Sequence, residues 1–152
     1  PGVSDPGPAL VRAAASRGFT VSPIPGPCAL VAALSISGFD AQKFSFVGFL
    51  PRKPGKIRKV FTEVLGRGET FVFYESPFRV AKTLRFLAEV APDAPVVVCR
   101  ELTKQFEEIL RGSALELATL CASRGEMRGE FSVVVGATVL VLRDDDEDES
   151  ED

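Results

Sequence analysis

Apolar positions change rhythm repeatedly along the 152-residue chain, and each change marks an element. In residues 4–17 the apolar residues Leu10, Val11, Ala14 and Ala15 recur at helical spacing, and Gly18 supplies a stop. FTVSPI (residues 19–24) reads as a short strand. PGPCA (residues 25–29) then turns into ALVAALSISG, a helix apolar on nearly every position from Ala29 to Leu34 and so expected to be buried on most sides. FSFVGFL (residues 44–50) is the next strand, with Pro51 and Pro54 bracketing a loop.

From residue 56 the alternation is regular. A helix over residues 56–65 buries Ile57, Val60, Phe61 and Val64. TFVFYE (residues 70–75) is a strand, followed by Ser76 as a helix cap and Pro77 as a first helical residue. That helix runs to about residue 90, burying Val80, Ala81, Leu84, Leu87 and Ala88 and exposing Arg79, Lys82, Arg85 and Glu89. PVVVCRE (residues 95–101) is a strand, and residues 107–111 form another short one. Residues 114–123 are helical, and residues 129–142 form one long strand or a pair around Gly136. The order β-α-β-α-β-β-α-β implies a compact α/β layer.

Composition adds further constraints. Hydrophobic residues make up 45% of the chain, which places it among globular proteins. No apolar run approaches the roughly 18 residues of a membrane span, and the given residues show no charged leader followed by an apolar core, so no signal peptide is visible in them. Histidine is absent, which removes Ser-His and Cys-His hydrolase chemistry. Cys28, Cys99 and Cys121 are odd in number and widely spaced, which argues against a disulfide framework or a structural zinc site. The chain opens in a turn-rich stretch without an initiator methionine, as a fragment or a processed chain does.

The net charge of −3 conceals an asymmetry. Residues 144–152, DDDEDESED, hold eight of the 21 acidic residues, so the remainder carries 18 basic against 13 acidic, or +5. The tail is expected to be disordered and solvated. Arg52, Lys53, Lys56, Arg58 and Lys59 lie within eight positions; they form either a solvated helix face or a phosphate-contact edge.

Charges also gather at strand ends. TFVFYE ends in Glu75, PVVVCRE in Arg100 and Glu101, and Gly129-Glu130 leads into the last strand. Such groups either line a cleft or form internal ion pairs with Arg79 and Arg100. The PGPCA turn places small residues and a helix start at a strand's carboxyl edge, suited to a ligand but also common in plain connections.

PGVSDPG (residues 1–7), PGPCALVAALSISG (25–38), GFLPRK (48–53), FYESPFRV (73–80), CRELTKQFEE (99–108) and RGEFSVVV (128–135) occur in this order. Each alone is weak; the ordered set, FYES with RELTK above all, closely resembles the ribosomal RNA small-subunit methyltransferases that methylate a cytidine 2′-oxygen. These belong to the tetrapyrrole-methylase-like superfamily, and the likeness runs to about Arg143. It implies a two-domain α/β fold with S-adenosylmethionine in the cleft between the domains. Only the end of the first domain is then present (residues 1–40), with a linker and first strand (41–54), a complete second domain (55–143) and the acidic tail (144–152). Half of the expected cofactor pocket is missing.

Residue by residue, the resemblance marks Gly26, Pro27, Cys28 and Ala29, with Phe73, Tyr74 and Glu75, as cofactor-binding. Methyl transfer to a ribose hydroxyl gains from alignment and from a base. Without histidine, Glu75, Glu101 and Lys104 are the catalytic candidates. Arg52, Lys53, Lys56 and Arg79 are candidate RNA phosphate contacts. The implied partners are small-subunit ribosomal RNA or the assembled subunit and a second copy in a homodimer, with no membrane and a cytoplasmic location. A tetrapyrrole methyltransferase and a non-catalytic RNA-binding module are the alternatives.

Overall fold

The computed structural model describes residues 2–138. The acidic tail, and residues 139–142 of the expected last strand, lie outside the described residues. Along the chain come α1 (Pro8–Ser16), α2 (Ala29–Ser37), β1 (Phe44–Phe49), α3 (Pro54–Leu65), β2 (Thr70–Glu75), α4 (Val80–Val90), β3 (Pro95–Arg100), β4 (Glu108–Ser113), α5 (Ala114–Ser123) and β5 (Phe131–Val135). From β1 onward this is the expected α/β order.

The five strands form one sheet in the order β1-β2-β5-β3-β4. β1 and β2 are parallel neighbours joined through α3, a βαβ unit. β5 inserts between β2 and β3, antiparallel to both, and β4 completes the far edge as an antiparallel partner of β3. The valine-rich centre follows from this position. All five residues of β5 are buried, because both of its faces are covered.

The period of two sorts the core. Phe71, Phe73, Val96, Val98, Val133 and Val135 face α3, α4 and α5, in one cluster with Phe61, Leu84, Leu87 and Leu117. Val72, Val97, Cys99 and Val134 face the other way and pack on Leu30, Ala33 and Leu34 of α2. Burial of the Cys99 thiol among these residues pushes its pKa up to about 11, so it remains protonated at neutral pH.

Four expectations change. Residues 19–24 form no strand, and Phe19, Val21 and Ile24 are exposed. A strand needs a partner ladder, and none lies beside this segment among the described residues. Helix α2 is buried on one face only; Val31 and Ile36 are exposed, since a single sheet face covers it. Ser76 does not cap α4 with its side chain; residues 77–79 form a turn in which the Arg79 and Val80 N–H groups donate to the Ser76 carbonyl, and the helix begins at Val80. β5 ends at Val135, where the Gly136 N–H donates to the Pro95 carbonyl. An added Cβ at Gly136 would press on Pro95 and Phe39, so this close approach needs glycine. Among the described residues, no helix is long and apolar enough to cross a membrane.

At the end of β2 the side-chain alternation carries Glu75 to the α4 side, where its side chain is fully buried. Its Oε2 accepts from Thr83 Oγ1 at 2.8 Å and lies 3.3 Å from an Arg79 guanidinium nitrogen; its Oε1 accepts from the Ser76 N–H at 2.8 Å. The same Arg79 nitrogen donates to the carbonyls of Leu50 (3.1 Å) and Pro51 (2.9 Å). One buried carboxylate therefore ties the turn after β2, the first turn of α4 and the loop after β1. Arg79→Ala leaves that carboxylate without its cation, and is expected to lower unfolding stability by about 3–5 kcal/mol in urea titration.

Candidate functional site

A cleft of about 460 Å³ opens where the start of α2, the end of β2 and the approach to β5 meet; Ala29, Phe49, Tyr74, Ser76, Gly129 and Ser132 are among its walls. Its size is that of a small-molecule site. The PGVSDPG turn reaches its mouth through Val3 and Ser4. Asp5 shapes that turn: its carboxylate accepts from the N–H groups of Gly2 (2.6 Å) and Gly7 (2.7 Å), and these bonds lower its pKa.

Tyr74 links the sheet to α2. Its hydroxyl accepts from the Leu30 N–H at 3.0 Å, in the first turn of the helix. Cys28, the residue before α2, is extended and provides no side-chain cap, so the tyrosine supplies the missing acceptor. Its ring packs edge-on against Phe46 and Phe49, at 4.9 and 5.8 Å between centroids. Desolvation among these groups raises the Tyr74 pKa, outweighing the Leu30 bond. At the other end of α2, Gly38 ends the helix at φ 79°, and Arg111 of β4 donates to the carbonyls of Ile36 and, at 2.8 Å, Ser37. Both ends of α2 are thus pinned to the sheet.

The expected cofactor residues divide. Ala29, Tyr74 and Glu75 line the cleft. Cys28 is half-buried at the helix start beside it, while Gly26 and Pro27 are exposed on the preceding loop. Phe73 points to the opposite face, fully buried against Phe61 and Phe71, because neighbouring strand residues alternate. Glu75 lines the cleft, and its carboxylate turns toward α4 to accept from Thr83.

The second rim is a clamp between residues 101–104 and 129–130. The Glu101 N–H donates to the Glu130 carbonyl (2.9 Å), and the Glu130 N–H donates to Glu101 Oε1 (2.8 Å). Lys104 Nζ bridges Glu101 (2.9 Å) and Glu130 (2.6 Å). Arg100 supports the clamp from behind by donating to the Arg128 carbonyl at 2.7 Å. Glu101 and Thr103 both hold positive φ, 51° and 63°, a strained arrangement for residues with side chains. Gly129 is at φ 99°, and a Cβ there would fall 2.5 Å from Glu101 Cγ. The Lys104 hydrogen bond, then the Glu130 N–H, lowers the Glu101 pKa; the two glutamates raise that of Lys104. Sequence spacing brought Glu101 and Lys104 together; Glu130 and Gly129 as their partners come from the tertiary contact.

The basic residues also divide. Arg52, Lys53 and Lys56 are exposed, and none pairs with a carboxylate among the described residues. Arg79 has its guanidinium turned inward. Arg58 pairs with Glu89 at 2.6 Å and lies 4.6 Å over the Phe86 ring, which makes it part of the α3–α4 packing.

Comparison with known proteins extends this geometry. The chain is similar to the ribosomal RNA small subunit methyltransferase I of Xylella fastidiosa, at 44% identity over 137 residues, 89% of this chain and 50% of the relative. The enzymes of the same name from Halalkalibacterium halodurans and Mycobacterium tuberculosis are 43% and 46% identical over 89% of this chain, covering 46% and 47% of their own lengths. The chain thus spans about half the length of these curated relatives. Among solved structures, the methyltransferase CobJ superposes with a TM-score of 0.66 at 20% identity, over 91% of this chain and 61% of that one. Uroporphyrin-III C-methyl transferase from Thermus thermophilus, complexed with S-adenyl homocysteine, gives 0.61 at 19% identity, over 90% and 61%. These two likenesses establish the fold. Residues 1–118 match the family model of the tetrapyrrole (corrin/porphyrin) methylases, and the chain belongs to that family.

Proposed function

We propose that this chain forms the second-domain side, with the end of the first domain, of an S-adenosylmethionine-dependent methyltransferase acting on the ribose 2′-oxygen of a cytidine in small-subunit ribosomal RNA. The observation that carries this reading is the identity of 43–46% with ribosomal RNA methyltransferases across nearly nine-tenths of the chain. The methyltransferase CobJ and the Thermus thermophilus uroporphyrin-III C-methyl transferase are 20% and 19% identical. The reading includes the homodimer, for which exposed Leu10, Phe19 and Ile24 offer apolar surface.

The cleft suits the cofactor by size and by its small residues. Ala29 and Gly129 allow close backbone approach, with Tyr74 and Ser132 supplying polar contacts. Gly26, Pro27 and Cys28 complete the turn beside it. The bound cofactor supplies an electrophilic sulfonium methyl group. The protein's part is then to align the ribose oxygen and to exclude water.

The paired state of the three candidate bases shapes their role. Glu130 and Glu101 hold Lys104 protonated, Lys104 and the Glu130 N–H hold Glu101 ionised, and Glu75 is enclosed by Thr83 and Arg79. We therefore assign Glu101, Lys104 and Glu75 to positioning the two rims. Arg52, Lys53 and Lys56 serve as phosphate contacts, and Arg79 orients the loop that carries Arg52.

Calorimetric titration of S-adenosylmethionine into the chain tests the cofactor assignment, with about one equivalent bound expected. Labelled methyl transfer to unmodified small ribosomal subunits, with the product resistant to alkaline cleavage at one cytidine, tests the reaction. Transfer to a base, or to a tetrapyrrole instead, rejects it.

Gly129→Ala forces an L-residue into positive φ and into Glu101. It is expected to cost about 1–3 kcal/mol in urea unfolding and to weaken cofactor binding in the same titration.

The clamp has a defined pH window. The depressed Glu101 pKa contributes stability above its ordinary value of 4.5, lost as pH falls through the folded value. The raised Lys104 pKa contributes below 10.5, lost as pH rises through its folded value. Cofactor affinity is therefore expected to show no break from this pair between about pH 5 and pH 10. Lys104→Met is expected to slow single-turnover transfer by up to about 100-fold through misplacement, with the shape of the pH–rate profile unchanged. Loss of a basic limb from that profile would instead make Lys104 the base.

A further inference from the structure

Beside the cofactor cleft lies a groove of about 540 Å³, with Phe49, Pro51, Arg52, Phe78 and Arg79 in its walls. Phe49 is 60% exposed and Phe78 83% exposed, a high value for a phenylalanine next to the core. Phe78 sits in the 77–79 turn, between Pro77 and Arg79. The inward bonds of Arg79 to Glu75, Leu50 and Pro51 hold that turn against the loop after β1. The backbone carrying the two rings is therefore fixed before any ligand arrives.

The surrounding charge is of one sign. Arg52 and Arg79 also border a second hollow of about 270 Å³, which adds Lys82. Neither Arg52 nor Lys82 pairs with a carboxylate among the described residues. The acid that lines the groove, Glu75, is buried and already bonded to Arg79 and Thr83. The groove and the cofactor cleft share Phe49, Glu75 and Ser76, so one runs into the other.

Exposed rings on a fixed turn, unpaired cations alongside and a direct path to the reaction site match the chemistry of single-stranded RNA. Unstacked bases offer their faces to aromatic side chains, and phosphates follow the cations. A duplex keeps its base faces covered.

We propose that Phe49 and Phe78 form a stacking platform for an unpaired base next to the target nucleotide, with Arg52 contacting its phosphate. The platform rests on the RNA-methyltransferase reading and adds to it the requirement that the substrate be single-stranded at this point.

Fluorescence anisotropy on the whole chain tests it, with a labelled single-stranded RNA about ten nucleotides long and a duplex of the same sequence. Phe78→Ala and Phe49→Ala are each expected to weaken single-strand binding roughly five- to 150-fold, with Phe78→Trp restoring it. The salt slope should stay unchanged in both alanine variants, and should fall by about 0.7 in Arg52→Ala. Unchanged urea midpoints confirm that the exposed substitutions leave the fold intact. Full affinity in both alanine variants, with Arg52→Ala still weakened, overturns the platform and leaves the RNA reading standing. Equal affinity for the duplex overturns the platform as well. Failure of the unmodified chain to bind RNA at low salt overturns the RNA reading, and the platform with it.

Discussion

The buried carboxylate of Glu75 fixes the relation between the two halves of the site. A charge with a fully enclosed side chain is costly unless it is paired and hydrogen-bonded. Here Arg79 pairs with it, and Thr83 and the Ser76 N–H donate to it. Because the Arg79 nitrogen also takes the carbonyls of Leu50 and Pro51, the network reaches from β2 to the loop after β1. Phe49, the last residue of β1, stands in the cleft wall, and the loop that follows it carries Arg52 onto the basic surface. The charge thereby sets where the walls of both hollows stand.

Helix α2 depends on the sheet in a comparable way. It has no side-chain cap of its own and only one buried face. Tyr74 provides the acceptor at its start and Arg111 the cation at its end. The helix start is thereby referenced to β2. The second rim is positioned differently, by strained backbone at Glu101 and Thr103 locked onto Gly129 and Glu130. Strain of this kind persists when neighbouring bonds over-determine the loop. The two rims therefore approach one cleft from a pinned helix and from a clamped loop.

Much of the element order was readable because it is local. Alternation in TFVFYE and PVVVCR and the helical spacing around Phe61 and Leu84 identify their own elements, as burial of one face demands. The ordered motifs named the family for the same reason: they are runs of adjacent residues. The strand expected at residues 19–24 failed because strand propensity has no force without a neighbouring ladder.

Sequence by itself determined the α/β class, the basic body and the placing of Glu75, Arg100 and Glu101 at strand ends. Tertiary structure alone decided what those charges do. Insertion of β5 between β2 and β3 brings Glu130 to Glu101 and Lys104 from 26 or more residues away. One step of alternation sends Phe73 into the core and Tyr74 to α2. The physical reason is that pairing and facing are non-local: a side chain's chemistry is written in its own residue, but its partner, and hence its charge state and reach, is set by whatever the fold lays across from it.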